Sequence, residues 1–155
     1  MELHSPAFRN RDTIPPRFTA DGDDISPPLE WSDVPPQAQS LALLIEDPDA
    51  PDPAHPKRTW VHWVVVDLPP KNGHLEADAS RRALPAGARQ GRNDWKRVGY
   101  GGPAPPIGRH RYVHKLYALD CAFPQLLHPT KAEVEDAMKG HVLAEAVLVG
   151  TYQHA

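Results

Sequence analysis

Proline is the feature that most constrains how this chain can fold. It occupies 19 of 155 positions, whereas proline makes up about 5% of an average protein. Because proline lacks the backbone N–H and its ring clashes with the preceding helical turn, a chain this rich in proline forms few long helices. Residues 47–58 carry four prolines, so this segment is predicted to be neither helix nor central strand. We therefore expect a β-rich fold with rigid loops.

Hydrophobic patterning predicts five strands and one clear helix. The strand segments are 28–32, 40–46, 60–68, 111–119 and 144–152. The second of these is apolar almost throughout, which is typical of a strand covered on both faces. Thr130 is a good helix N-cap, Glu133 completes a capping box, and Gly140 can end the helix. The long connection 69–106 is expected to hold a functional loop or short strands of its own.

These elements predict a mostly β, antiparallel β-sandwich with Greek-key connections, one or two short helices and long proline-rich loops. The length fits a single domain, residues 1–155.

The formal net charge of −3 argues against a broadly basic nucleic-acid-binding protein. One cysteine excludes an intrachain disulfide and a four-cysteine zinc site. Without an apolar run long enough for a signal peptide or a membrane span, we expect a cytoplasmic protein.

Two strand ends carry residues that suggest a site. Asp47 directly follows the apolar second strand, although an Asp-Pro pair also commonly starts a rigid turn. In the next strand, alternation places Trp60 and His62 on one face and Val61 and Trp63 on the other. His62 can equally be a core histidine bonded to a backbone carbonyl.

A third group follows a glycine- and proline-rich stretch. Alternation places His110, Tyr112 and His114 on one face of the strand and Arg111 and Val113 on the other. An ordinary surface loop leading into a strand would look similar. Taken together, the three groups predict a small polar pocket with an aromatic wall at one end of the sandwich.

The same segments resemble a known family. DPDAP, followed by WVHW and then by GGPAPPIGRHRYVHKLYALD, is similar to the phosphatidylethanolamine-binding proteins, also known as Raf kinase inhibitor-like proteins. FTADGDDISPPLEWSDVPP and MKGHVLAEAVLVGTY resemble the prokaryotic branch of that family, so the likeness covers essentially the whole chain. It implies a sandwich fold and a small surface pocket that binds an anionic group, such as phosphate or a phospholipid head group. The positions that match the pocket of the family are Asp47, Pro51, Trp60, His62, Gly102, Pro103, His110 and Tyr112.

The resemblance also implies supporting roles for Asp49 and Arg111, which we expect to form an ion pair. Alternation predicts no lysine and no inward-facing arginine in the pocket. We therefore expect Asp47 to orient one histidine in its protonated form. Both imidazoles, Tyr112 and backbone N–H groups near Gly102 would then donate hydrogen bonds to the anion. The expected ligand is phosphate, sulfate, a carboxylate or a phosphorylated metabolite, with no cofactor.

The sequence also allows two functions other than anion binding. Asp47, His62 and His110 can be read as a metal site with two histidines and one carboxylate, or as the acid–base groups of a hydrolase. We favour binding over catalysis because the family resemblance points to metal-free anion binding. Alternatively, the pocket is vestigial and the protein acts through interactions. We expect a homodimer, formed through the last strand and the 69–106 connection.

Overall fold

The computed structural model describes residues 1–154 and is built from two antiparallel sheets and one α-helix. Ala155, the last residue of the predicted domain, lies outside the described residues. The strands and helices in chain order are β1 (Glu2–His4), a 3-10 helix (Pro16–Phe18), β2 (Leu29–Ser32), β3 (Ser40–Ala50), β4 (Arg58–Leu68), β5 (Gly73–Leu75), β6 (Arg89–Gln90), β7 (Arg109–Leu119), α1 (Lys131–Met138) and β8 (Val142–Gln153). The predicted sandwich class is confirmed. Within residues 1–154, no helix has the length and apolar character needed to cross a bilayer.

The larger sheet has the order β6-β4-β3-β7-β8, and the smaller has the order β1-β2-β5. β3 is central, and both of its faces are buried, as its apolar run predicts. Leu41, Leu43 and Ile45 pack in the core between the two sheets. Ala42 and Leu44 pack in a second core beneath α1.

β3 is longer than expected because it continues through Ala50. The prediction that residues 47–58 contain no central strand is therefore wrong for its first four residues, and also for its last, Arg58, which begins β4. Pairing with β4 is irregular between Asp47 and Ala50, and pairing with β7 ends at Glu46. Pro48 therefore lies where its missing N–H costs no regular ladder bond.

The 69–106 connection contains β5 and β6, as its length suggested. β1 was not predicted, and neither was the position of the 3-10 helix, although a second short helix was expected. β1 has only three residues and pairs with β2, so its strand character depends on a partner far along the chain rather than on local patterning.

Helix α1 begins with the predicted capping box. The N–H of Glu133 donates to Oγ1 of Thr130 at 3.2 Å, and the N–H of Thr130 donates to Oε1 of Glu133 at 3.0 Å. The helix is tied to the sheet through buried Glu46, which pairs with Lys131 and with Nζ of Lys115 at 2.6 Å. Burial would raise the pKa of Glu46, but the contacts with the two ammonium groups outweigh it and lower that pKa.

Replacing Thr130 with alanine should cost about 1 kcal/mol of stability, because it removes the acceptor for one helix N–H. For a domain of this size, we expect the melting temperature to fall by about 2–4 °C. Thr130→Ser keeps the hydroxyl and is the matched control. Equal melting temperatures for the two variants, measured by calorimetry, would show that the cap contributes nothing.

Candidate functional site

A pocket of about 430 Å³ lies at the end of the larger sheet where β3, β4 and β7 meet the 101–106 loop. Backbone pairing between β3 and β7 has stopped by this point, its last pair being Glu46 with Val113. The residues that line the pocket are Asp47, Ala50, Pro51, Lys57, Arg58, Trp60, His62, Trp95, Ala104, Pro105, Pro106, His110 and Tyr112. The carboxylate, the two imidazoles, the phenol and the indole predicted to converge are all among them.

A β-bulge in β4 shapes the wall of the pocket. Ile45 pairs with Trp63 and Glu46 pairs with Val61, so His62 is the extra residue on β4. The bulge breaks the alternation of side chains. Trp63 therefore packs in the core between the sheets, while Val61 packs beneath α1. The prediction that these two side chains share a face is wrong for this reason, whereas Trp60 and His62 both line the pocket as expected.

Asp47 and His110 form a buried pair at the base of the pocket. Nδ1 of His110 lies 2.6 Å from Oδ2 of Asp47, and Nε2 donates to the carbonyl of Ile107 at 2.8 Å. One proton is therefore shared between the imidazole and the carboxylate. Burial raises the pKa of Asp47, although the hydrogen bond from His110 opposes that shift. Because both nitrogens of His110 are engaged within the protein, the expectation that His110 donates to an anion does not fit this geometry.

His62 is also held by the protein rather than free to donate. Its Nδ1 lies 2.6 Å from the carbonyl of Gly101, so Nδ1 carries the hydrogen and Nε2 of the neutral ring is an acceptor. Burial lowers the pKa of His62 to about 4. The ring is wedged edge-on between Trp95 and Tyr112, with centroid distances of 5.0 and 5.2 Å.

Two buried polar atoms of the pocket residues lack a hydrogen-bond partner. Within residues 1–154, neither the hydroxyl of Tyr112 nor Nε1 of Trp60 makes a hydrogen bond. Burial raises the pKa of Tyr112, so its phenol stays protonated and can donate. An unpaired buried donor is costly, and a bound acceptor would remove that cost.

The pocket also contains two cations, contrary to the expectation of none. Lys57 and Arg58 line it, and the guanidinium of Arg58 lies 4.7 Å from the ring centroid of Trp60. Side-chain alternation within the predicted strands does not reach these two residues, because Lys57 belongs to the β3–β4 connection and Arg58 is the first residue of β4. Both are exposed, so they place positive charge at the mouth.

Two predicted pocket residues in the 101–106 loop do not line the pocket. Pro51, which follows a cis peptide bond, lines the pocket, but Gly102 and Pro103 do not. The N–H of Gly102 donates to Oδ1 of Asp24 at 2.8 Å, so it is not the free anion donor that we expected. A Cβ at position 102 would lie 2.5 Å from that same oxygen. Gly102 therefore positions the loop rather than the ligand.

Trp95 is a pocket residue that sequence reasoning missed. It is carried by a turn that Asp94 fastens to β4. The N–H of Val61 donates to Oδ2 of Asp94 at 2.7 Å, and the N–H of Asp94 donates to the carbonyl of Val61 at 3.0 Å. The only local signal was a tryptophan within a glycine-rich stretch, which does not indicate where its side chain packs.

The expected ion pair between Asp49 and Arg111 is present. Nη2 and Nε of Arg111 lie 2.8 and 3.0 Å from the two carboxylate oxygens, and the backbone N–H of Arg111 donates to Oδ2 at 2.9 Å. The contact with Arg111 holds the pKa of Asp49 below its usual range. This pair joins β3 to β7 beyond the last backbone pair, so it supports the pocket from outside.

The metal reading of Asp47, His62 and His110 is not favoured by the geometry. Within residues 1–154, the ligand atoms of these three side chains do not form a group lying within 4.8 Å of one another. Both nitrogens of His110 already face protein acceptors.

Two buried neutral histidines should make the protein sensitive to acid. His62 and His114 each have a pKa lowered by burial from 6.5 to about 4. Between these values the unfolded chain binds more protons, so stability falls as the pH drops from 6.5 towards 4. Each histidine contributes up to about 1.4 kcal/mol per pH unit.

Urea unfolding at pH 5 and at pH 6.5 measures this effect. His62→Gln and His114→Gln should each flatten the dependence of stability on pH, whatever their stability at pH 6.5. His74→Gln, on the exposed side of β5, is the control and should leave the slope unchanged. An unchanged slope in both buried variants would contradict the assignment.

Comparison with known proteins is consistent with the fold. Residues 4–153 match the family model described as phosphatidylethanolamine-binding protein. The chain is 48% identical to a UPF0098 protein of Methanothermobacter thermautotrophicus, over 99% of both chains. It is 42% identical to a UPF0098 protein of Chlamydia muridarum, again over 99% of both.

Two solved structures share the fold over nearly the whole chain. A phosphatidylethanolamine-binding protein homologue from Chlamydia trachomatis superposes with a TM-score of 0.90 at 40% identity, over 99% of this chain and 97% of that one. YbcL of E. coli, described as a new member of the mammalian phosphatidylethanolamine-binding protein family, superposes with a TM-score of 0.88 at 32% identity. The match covers 99% of this chain and 98% of that one. This chain belongs to the phosphatidylethanolamine-binding protein family.

Proposed function

We propose that the pocket binds a small anion, either phosphate or a phosphorylated head group. The observation that carries this proposal is the pair of unpartnered buried donors, the Tyr112 hydroxyl and Trp60 Nε1. A phosphoryl group offers several acceptor oxygens, and hydrogen bonds to a charged acceptor are the stronger kind. Lys57 and Arg58 supply positive charge at the mouth.

The buried carboxylate does not oppose this proposal. Oδ1 of Asp47 accepts the N–H of Asp49 at 2.7 Å, and Oδ2 faces His110. The Asp47–His110 pair shares one proton and has no net charge in either arrangement of that proton. An anion in the pocket therefore meets a neutral pair rather than a bare carboxylate.

The walls indicate that an ester is a better ligand than the free ion. Trp95, Pro105, Pro106 and Ala104 are apolar surfaces beside the polar groups, and such surfaces bury the carbon atoms of a head group favourably. The family name describes binding of phosphatidylethanolamine, which supports this class of ligand here. The resemblance to Raf kinase inhibitor-like proteins also implies a regulatory role, which stays a prediction.

We further propose that the pocket binds without catalysing a reaction. A hydrolase would need an imidazole free to exchange protons with substrate. His110 is bonded through both nitrogens, and burial lowers the pKa of His62 to about 4. His62 is therefore a weak base, and neither ring fits the role that the alternative function assigns to it.

Titration calorimetry of Tyr112→Phe tests the binding proposal. The change removes one oxygen and should weaken binding of inorganic phosphate and of phosphoethanolamine by about tenfold or more, as expected for a lost hydrogen bond to a charged group. Tyr117→Phe is the matched control, since Tyr117 lies on the same strand but is half-buried and packs against the core beneath α1. Vesicles containing phosphatidylethanolamine form a third arm, which distinguishes a lipid head group from a free phosphate.

Affinities that do not differ between the parent and Tyr112→Phe would contradict the proposed role of the hydroxyl. Absence of binding to all three probes in the parent would contradict anion binding itself. The melting temperatures of both variants show whether the fold is intact.

The homodimer and the cytoplasmic location stay predictions. Of the two surfaces proposed for a dimer, β8 is an edge strand that exposes Val142, Leu143 and Val147, and the 69–106 connection exposes Val98. Exposed apolar residues on a sheet edge favour association. Sedimentation would measure it.

A further inference from the structure

A second group of chemically reactive side chains lies far from the pocket. Asp120 and Cys121 follow the end of β7, and His141 precedes β8. Asp120 is ten residues along the strand from His110, which corresponds to roughly 33 Å of extended chain. The group is therefore at the opposite end of the sheet and is independent of the proposed anion binding.

The three side chains converge closely. One oxygen of Asp120, the sulfur of Cys121 and one ring nitrogen of His141 all lie within 4.8 Å of one another. Nδ1 of His141 is 2.7 Å from Oδ1 of Asp120. Within residues 1–154, this is the only group of three such side chains that meets this spacing.

The backbone holds the two contributing segments in place. The N–H of Asp120 donates to the carbonyl of His141 at 3.0 Å, and the N–H of His141 donates to the carbonyl of Met138 at 2.9 Å. Gly140 adopts a positive φ of 79°, which turns the chain from α1 back towards β7 at little steric cost. The convergence is thus a result of the fold, so little ordering of the backbone is needed for the three groups to act together.

The residue types indicate the class of ligand. A thiolate, an imidazole and a carboxylate are the side chains that bind zinc, and open zinc sites use three protein ligands with a fourth position for water. Metal–ligand bonds of 2.0–2.3 Å in a tetrahedron place ligand atoms roughly 3.5 Å apart. Asp120 and His141 are exposed and Cys121 is half-buried, so side-chain rotation can close the remaining gap.

We propose that Asp120, Cys121 and His141 form a binding site for Zn²⁺ or a similar divalent transition metal, with one coordination position open to water or to another ligand. A bound ion would link the end of β7 to the start of β8. Binding displaces the thiol proton, and the neutral imidazole coordinates through a ring nitrogen.

Titration of the untagged, reduced protein with Co²⁺ tests the proposal, because a cobalt–thiolate bond gives a near-ultraviolet charge-transfer band. We expect one equivalent of Co²⁺ to produce this band and one equivalent of Zn²⁺ to remove it. Cys121→Ser should abolish the band. His141→Gln and Asp120→Asn should each weaken metal binding by about tenfold or more.

His74→Gln is the matched control. His74 also contacts a carboxylate, with Nε2 3.1 Å from Oε1 of Glu76, but the chain's single cysteine is elsewhere, so its replacement should leave the titration unchanged. A parent protein without the band would overturn the proposal. So would a band that persists with unchanged affinity in both His141→Gln and Asp120→Asn, since that result would mean the thiol binds cobalt alone.

Discussion

The pocket exists because side chains replace backbone pairing at the ends of β3 and β7. The regular ladder stops at Glu46 and Val113. Beyond it, the strands are joined by the contact of Asp47 with His110 and by the ion pair of Asp49 with Arg111. The walls of the cavity are thus held by side-chain contacts where the backbone pairing of β3 with β7 has ended.

The same contacts explain which groups remain for a ligand. Among the described pocket residues, the histidines find partners in the protein, namely a carboxylate and backbone carbonyls, whereas the Tyr112 hydroxyl and Trp60 Nε1 find none. Buried polar groups are normally satisfied, so these two exceptions are more informative than the Asp47–His110 pair beside them. In the proposed binding mode, the histidines position the pocket, and the phenol, the indole and the two mouth cations contact the anion.

β7 connects two chemically different places. One of its ends contributes His110 and Tyr112 to the pocket, and the other leads to Asp120 and Cys121. The strand pairs on both sides along most of its length, so each end is held by the same rigid sheet. Side chains at such ends gain a fixed backbone, which favours binding. His110 and Tyr112 are buried, whereas Asp120 is exposed.

The long strands, the helix cap and the sandwich class could be predicted because each depends on local chemistry. The apolar run at 41–45 indicates a strand covered on both faces, and Thr130 with Glu133 indicates a capping box. The pocket was correctly predicted to contain Asp47, Trp60, His62, His110 and Tyr112, because they lie near the ends of predicted strands and match a family pattern. Short β1 and the continuation of β3 past Pro48 were not predictable, since both depend on what lies opposite them.

The amino-acid sequence by itself determined which residue types stand at the pocket. Only the tertiary structure decided which of their atoms are free. Strict alternation predicts that Val61 and Trp63 lie on the same face of β4. One extra residue in β4 breaks that alternation and places them on opposite faces. The carbonyls that occupy His62 and His110 come from Gly101 and Ile107, in a loop whose path no periodicity describes. Hydrogen-bond partners of this kind are backbone groups, identical in every residue, so their identity is set by where the chain passes and not by its side chains.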